Sequence, residues 1–362
     1  MFFVKIAVLV SGGVDSSVAL AILKNQGHDI TAFYLKIWLE DELSFLGSCP
    51  WEDDLANVTA VCEHLDVPLQ VIPLQKEYWD AVVSYTIREA QEGRTPNPDV
   101  LCNQFVKFDA FFKKISPDYE KIATGHYAHI EENNGLYLLK CAPDVIKDQT
   151  YFLSHLSQEQ LKRILFPLGF FTKEQVRQKA VEFNLPNAQR KDSYGICFLG
   201  KISFDDFLEH HLSKKPGNLI EFETGKIMGQ HQGFWFHTIG QRKGIGLSGG
   251  PWFVVTKNAV TNEVFISKNY HDPSKERKSF AVERLHWIAN QVPAQPSLHV
   301  KLRHGPEKHP CTLTLHENNT ASVILANNDQ GIAPGQFAVF YDNDTCLGCG
   351  VISLPPAPTV FS

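Results

Sequence analysis

Residues 11–17 read Ser11-Gly12-Gly13-Val14-Asp15-Ser16-Ser17. Ahead of them runs Ile6-Ala7-Val8-Leu9-Val10, an apolar stretch that reads as a buried strand. Behind them Val18-Ala19-Leu20-Ala21-Ile22-Leu23 reads as a helix. The glycines therefore fall at a strand-to-helix turn, where the missing Cβ lets backbone approach a ligand closely. The helix N-terminus aims unpaired N–H groups and the positive dipole end at the same turn. Ser11, Ser16 and Ser17 add hydroxyls, and Asp15 is a candidate magnesium ligand. A phosphate group suits this place. A plain βα turn with Asp and Ser caps is the alternative, and the order of strand, glycines, hydroxyls and helix favours the anion site. The loop is not a Gly-x-x-x-x-Gly-Lys-Ser/Thr loop.

Outward from the loop, strand and helix alternate. His28 to Leu35 is a second strand, and the stretch from Trp51 to Asp66 puts Leu55, Val58, Val61, Cys62 and Leu65 on one helical face. Val67 to Ile72 is a third strand, and Tyr78 to Glu92 a helix. Lys121 to Ile130 reads as a further strand, and Asn134-Gly135 as a hairpin turn. A helix spans Thr172 to Asn184. The alternation predicts an α/β, doubly wound parallel sheet whose ligands bind at the carboxyl ends of its strands. Past residue 205 the chain breaks into short β-like runs, among them Phe234 to His237, Trp252 to Val255 and Glu263 to Ile266. A polar linker, His271 to Lys278, precedes a last all-β stretch that suits a barrel. Three domains follow: 1–204, 205–275 and 276–362, the second a small central β domain.

The chain has 362 residues, 43% of them hydrophobic, which is enough for a sizeable core but gives no run long enough for a membrane span. The N-terminus lacks a basic stretch and a cleavage site, so a cytoplasmic, non-membrane protein is expected. Eight cysteines are too sparse for a disulfide scaffold. A formal charge of −6 argues against a protein held on nucleic acid by bulk charge and leaves room for local cations.

The most informative loop is Thr95-Pro96-Asn97-Pro98-Asp99-Val100-Leu101-Cys102-Asn103. Its prolines stiffen the chain and hold Asn97 and Asp99 close to a cysteine at a helix start, where a thiolate is favoured. A helix cap followed by a buried cysteine accounts for this segment equally well. Cys197 stands between Gly195 and Gly200, Thr124-Gly125-His126-Tyr127 ends a strand, and Lys147-Asp148-Gln149-Thr150-Tyr151-Phe152 turns from polar to aromatic. Arg242-Lys243 lies among glycines and pairs naturally with Arg303-His304 as a phosphate-tracking set. Cys62 and Cys141 read as packing, and Cys346-x-x-Cys349 as structural.

The ordered set Ser-Gly-Gly-Val-Asp-Ser-Ser, Thr-Pro-Asn-Pro-Asp-x-x-Cys-Asn, Gly-His-Tyr-Ala, Lys-Asp-Gln-x-Tyr-Phe, Asp-Ser-x-Gly-Ile-Cys-Phe, Ile-Gly-Gln-Arg-x-Gly and Pro-Gly-Gln resembles the bacterial tRNA-specific 2-thiouridylase family along nearly the whole chain. Its first loop is similar to the pyrophosphate-binding loop of enzymes that split ATP between the α and β phosphates. The resemblance implies that ATP, with magnesium, adenylates the wobble uridine of tRNA and that a persulfide then replaces the activated oxygen at carbon 2. It implies an ATP site at Leu9, Val10, Ser11, Gly12, Gly13, Val14, Asp15, Ser16, Leu35 and Gly125. Asn97, Pro98 and Asp99 would meet the target base, with Asp99 close enough to shuttle a proton. Cys102 would be the nucleophile and Cys197 the persulfide carrier, the two closing a redox disulfide. His126, Lys147, Asp148, Gln149, Arg303, His304 and Gln336 would contact tRNA. The implied partners are the tRNAs for Lys, Glu and Gln and a sulfur-donor protein, either a cysteine desulfurase or a sulfur-relay protein. The rival readings are a GMP synthetase-like adenylating enzyme, which would not need the two cysteines, and a nucleotide sensor, which gives the β domains no purpose.

Overall fold

The computed structural model describes residues 4–37, 50–192, 203–270, 272, 275 and 277–353. Its first sheet is parallel, with β1 (Lys5–Leu9) at the centre, β2 (Asp29–Lys36) and β3 (Leu69–Pro73) on one side and β4 (Lys121–Ala123) on the other. Val8 stands in register with both Ala32 and Ala123. Side chains alternate across a strand, so Ile6, Val8 and Val10 enter one buried cluster while Ala7 and Leu9 enter another on the opposite face. The first face is covered by α1 (Val14–Asn25) and α2 (Pro50–Leu65). Covering the second are the helical run Gln75–Tyr78, Trp79–Val83 and Ser84–Gln91, and α3 (Pro98–Leu101) with its π-helical continuation Cys102–Ala110. α4 (Lys173–Glu182) returns to the first face, capped by a reciprocal Thr172–Gln175 box. The doubly wound sheet expected from the sequence is the one observed.

The strand expected from Lys121 to Ile130 is two strands with different loyalties. β4 stops at Ala123, and the chain bends at Tyr127. β5 (Ala128–Asn133) and β6 (Leu136–Cys141) then form an antiparallel hairpin through a left-handed Asn134-Gly135 turn. This hairpin leaves the parallel sheet and joins the C-terminal barrel. The fifth parallel strand is instead the short β7 (Ile164–Leu165), beside β4.

The middle region opens with a helix that the sequence reading missed, α5 (Phe204–Leu212), capped by the Ser203 side chain. Four strands follow: β8 (Gly217–Glu221), β9 (Ile227–His231), β10 (Phe253–Asn258) and β11 (Glu263–Ser267), ordered β10-β11-β8-β9. Phe234–Phe236, expected as β-like, is a 3-10 turn. The turn sends Phe234 into the core of this domain while Phe236 packs against the N-terminal cluster, a split that strand alternation would not give. The last sheet runs β12 (Arg277–Trp287), β15 (Thr320–Asp329), β14 (His309–His316), β13 (Ser297–Lys301), β16 (Phe337–Asp342) and β17 (Thr345–Ser353). Pairing of β12 with β17 closes it into a six-stranded barrel. Cys346 and Cys349 are both buried in the large cluster that spans the N-terminal domain and β16–β17. No helix among the described residues is long and apolar enough to cross a membrane.

A strand pairing and a buried ion pair help to fuse the barrel to the N-terminal region. Cys346 on β17 stands opposite Leu139 on β6, extending the barrel by the hairpin. Lys301 on β13 places Nζ 2.8 Å from Asp148 Oδ2, with both side chains almost wholly buried. Thr150 Oγ1 also donates to this carboxylate at 2.9 Å. A buried ion pair is weak evidence for net stability, but removing one partner strands the other charge. Lys301→Met is therefore expected to lower stability by roughly 3–5 kcal/mol, read as a fall in the urea and thermal midpoints. Lys301→Met combined with Asp148→Asn is expected to recover most of that loss. A single variant with unchanged midpoints would show the pair to be solvated.

Candidate active site

Strand order reverses between β1 and β4, since β1 leads to β2 on one side while β4 lies on the other. Ligands bind at the carboxyl ends of the strands at such a point. The loop of residues 10–13 emerges there. Gly12 adopts φ +78°, and a Cβ on it would lie 2.7 Å from the Asp54 carbonyl oxygen. Gly13 precedes α1 in an extended conformation and offers no capping side chain, so the first-turn N–H groups are left to a ligand. Ser16 and Ser17 each donate Oγ–H to the Gly13 carbonyl at 3.0 Å, and the Ser11 N–H donates to Ser16 Oγ at 3.2 Å. Gly125, just past β4, closes the site from below. A Cβ there would sit 2.7 Å from Ser16 N and 2.8 Å from the Asp15 carbonyl carbon. Leu9, Val10 and Leu35 stand at the ends of β1 and β2 beside the loop.

Several residues around the loop were not assigned to it from the sequence. Buried Asn187 donates Nδ2–H to both the Gly12 carbonyl and Ser17 Oγ at 2.9 Å. Arg190 donates Nη1–H to the Gly12 carbonyl at 2.9 Å and pairs with Asp54. Lys173, the first residue of α4, lies 2.6 Å from Asp15 Oδ1 and 2.8 Å from Asp192 Oδ1. The Tyr127 hydroxyl donates to the same Asp15 oxygen at 3.0 Å. Asp192 also binds Lys147 at 3.0 Å and Arg177. Burial alone would raise its pKa, yet the hydrogen bonds from Lys173 and Lys147 hold the carboxyl well below the usual carboxylate range. In sequence, Lys173 and Arg190 are ordinary cations at a helix start and after a Leu-Pro break; only folding brings them to residue 12 or 15.

The second segment is anchored at both ends. Arg94 grips the fully buried Glu89 with Nε–Oε2 at 2.5 Å and Nη2–Oε1 at 2.7 Å. The Thr95 N–H donates to the Pro334 carbonyl at 2.7 Å, which ties the loop to the barrel. Asn97 is buried, Pro98 and Asp99 begin α3, and Cys102 closes the first turn with its N–H bonded to the Pro98 carbonyl. The helix thus starts four residues before Cys102, and a dipole effect that fades within the first turn acts on the thiol less than the sequence reading expected. Cys102 is 1% exposed, in the cluster that holds Leu9 and Val100. Cys197 lies outside the described residues.

The residues expected to touch tRNA occupy three kinds of place. Gln149 accepts the Tyr127 N–H at 2.9 Å, and Asp148 is turned into the protein toward Lys301. His126 packs beside Phe108 and Phe166, and burial pushes its pKa well down, so the ring is neutral at pH 7. Lys147 and Arg303 are half-exposed, though each is paired, with Asp192 and Asp329. Arg303, His304, Pro306 and His309 line a cavity of about 210 Å³. The His304 ring stacks obliquely on Phe152, centroids 4.6 Å apart. Arg242 and Lys243 are exposed on the middle domain. Gln336 faces inward, against Asn97.

A parallel sheet with a glycine loop at its reversal point, followed by two β modules, defines a HUP-domain protein. A family model described as a tRNA methyl transferase HUP domain matches residues 4–201. A tRNA methyl transferase PRC-barrel domain matches 205–268, and an aminomethyltransferase β-barrel domain 277–352. The chain is 44% identical over 355 residues to the tRNA-specific 2-thiouridylase MnmA of Parabacteroides distasonis, covering 96% of this chain and 98% of that protein. The MnmA of Porphyromonas gingivalis is 44% identical over 361 residues, covering 96% and 99%. MnmA 2 of Bacteroides fragilis is 43% identical over 353 residues, with the same coverage. The chain belongs to the tRNA-specific 2-thiouridylase family.

The close approach at Gly125 makes a sharp test. Gly125→Ala forces a methyl group onto the Asp15–Ser16 backbone, and the loop must move. Binding of a nonhydrolysable ATP analogue is expected to weaken by about tenfold or more, the equivalent of ~1.4 kcal/mol, while the far-UV spectrum stays native. Unchanged affinity would detach Gly125 from the nucleotide site.

Proposed function

We propose that this protein replaces the oxygen at carbon 2 of the wobble uridine of tRNA with sulfur, using ATP to activate that oxygen. The observation that carries the reading is the backbone contact of Gly125 with Asp15–Ser16, which makes an anion cradle at the point where the sheet reverses. The first-turn N–H groups of α1 and the Ser11 and Ser16 hydroxyls would hold the phosphates, and Lys173 and Arg190 flank them. Lys173 is placed to take up negative charge as pyrophosphate leaves. Magnesium would enter with the nucleotide. Asp15 is the one carboxylate of the loop and fits an ion that takes most of its ligands from phosphate and water, once Lys173 gives up the shared oxygen.

A urea-like carbonyl is a poor electrophile. Attack of uridine O2 on the α-phosphorus expels pyrophosphate and turns that oxygen into part of a leaving group, AMP. The terminal sulfur of a Cys197 persulfide then adds at carbon 2 and AMP departs. The Cys102 thiolate attacks the Cys197 sulfur, a Cys102–Cys197 disulfide forms, and the new sulfur stays on the base. The target base must leave its stack to reach this site. Cys102 is closed to solvent, which fits a thiol uncovered only when RNA is seated. Asn97, Pro98 and Asp99 are read as the base site, with Asp99 moving a proton. Lys147, Gln149, Arg303, His304 and His126 are read as the RNA side, with the tRNAs for Lys, Glu and Gln as substrates and a cysteine desulfurase or sulfur-relay protein as donor.

The family model's description speaks of methyl transfer, while the relatives are named for thiolation. Mass spectrometry of tRNA nucleosides from a deletion strain separates the two, because sulfur-for-oxygen exchange and methylation change the mass differently. Loss of 2-thiouridine derivatives supports thiolation alone. Cys197→Ser is expected to consume ATP and accumulate adenylated tRNA without thiolated product. Cys102→Ser is expected to accept labelled sulfur on Cys197 and fail to pass it on. Cys62→Ser, a packing residue, serves as control. Thiolation by Cys197→Ser at the unmutated rate would sink the mechanism.

A further inference from the structure

The barrel reaches into the base loop through one side chain. Gln336 donates Nε2–H to the Thr95 carbonyl at 3.2 Å and to the Pro96 carbonyl at 3.1 Å. Two backbone acceptors leave that amide a single sensible orientation, because a carbonyl oxygen in the same place would face two other oxygens. Oε1 must therefore point the other way, and there it accepts Asn97 Nδ2–H at 3.2 Å. The buried Tyr151 hydroxyl, 3.4 Å from Oε1, donates to the Phe337 carbonyl at 3.1 Å and so leaves Oε1 to Asn97. The orientation of Asn97 is thus dictated in turn. Its Nδ2 end is committed to the barrel, and its Oδ1 end, a pure acceptor, is what remains for a ligand.

We propose that Gln336 is a positioning residue that fixes the Asn97 amide as a hydrogen-bond acceptor and so selects uracil over cytosine at the target base. The chemistry follows from the two pyrimidine edges. Beside carbon 2, uracil carries N3–H, a donor, while cytosine carries a bare N3, an acceptor. An Asn97 that cannot flip satisfies the first and opposes the second. Freed from Gln336, the same amide turns over and accepts either base. Specificity would then come from the barrel, not from the sheet that carries the nucleotide loop. This rests on the reading of Asn97 as a base contact.

The test uses the full-length protein and two anticodon stem-loops that differ only in U or C at the target position. Gln336→Ala is expected to lower thiolation kcat on the U substrate and to shrink the U-over-C preference by about tenfold or more, a typical consequence of losing one specifying hydrogen bond. RNA affinity and its salt dependence should change little. Gln336→Met keeps the bulk without the hydrogen bonds and should match Gln336→Ala; the thermal midpoint of each checks the fold. Asn97→Ala should lose the preference too, and adding Gln336→Ala to it should do no further harm, because one residue acts through the other. If Gln336→Ala weakens binding of both RNAs alike and keeps the preference, then Gln336 is an RNA contact and the relay is wrong. If the two substitutions add, the relay is equally wrong. If Asn97→Ala itself keeps full preference, the base lies elsewhere, and the base site proposed above falls along with the relay.

Discussion

Everything in this molecule hangs on a contact between two backbones. The end of β4 meets the first turn of α1 with no room for a methyl group between Gly125 and Ser16. That approach brings together the two strand ends on either side of the sheet's reversal, at the N-terminus of α1. The loop around Gly12 is then locked from the other side by Asn187 and Arg190, both bonded to its carbonyl.

The charges around the loop are arranged to be exchanged. Lys173 bridges Asp15 and Asp192, and Asp192 is shared among Lys173, Lys147 and Arg177. The network joins a residue of the glycine loop to one expected on the RNA side, through the Lys173 ammonium group and the Asp192 carboxylate. Lys173 thereby ties the glycine loop to the Asp192 cluster through ion pairs alone.

The barrel does not stand apart from the N-terminal domain. It is sewn to the sheet domain by β6 on β17, by the buried Lys301–Asp148 pair and by the Thr95–Pro334 and Gln336 bonds. The last two meet at the loop that carries Asn97. Cys102, just past the same loop, is buried.

Local pattern alone determined much of this. The apolar run before Ser11, the glycine pair and the helix after it fixed the strand–loop–helix unit, because each signal is written within a few residues. The same holds for the Asn134-Gly135 hairpin, the helix that Thr172 caps and the stiff Thr95–Asp99 loop. Tertiary structure decided the rest. Whether the hairpin joined the parallel sheet or the barrel depended on β17, some 200 residues away, and the segment Phe234–Phe236 was split between two cores that only packing defines. Lys173, Asn187 and Arg190 reached the glycine loop by long-range contacts with no trace in their own neighbourhoods. Gln336 was legible as part of a short Pro-Gly-Gln stretch, but its orientation, and that of Asn97, follows from two carbonyl oxygens across a domain boundary. Local sequence specifies which groups a chain carries; the direction in which an amide points is set by the neighbours that folding brings to it.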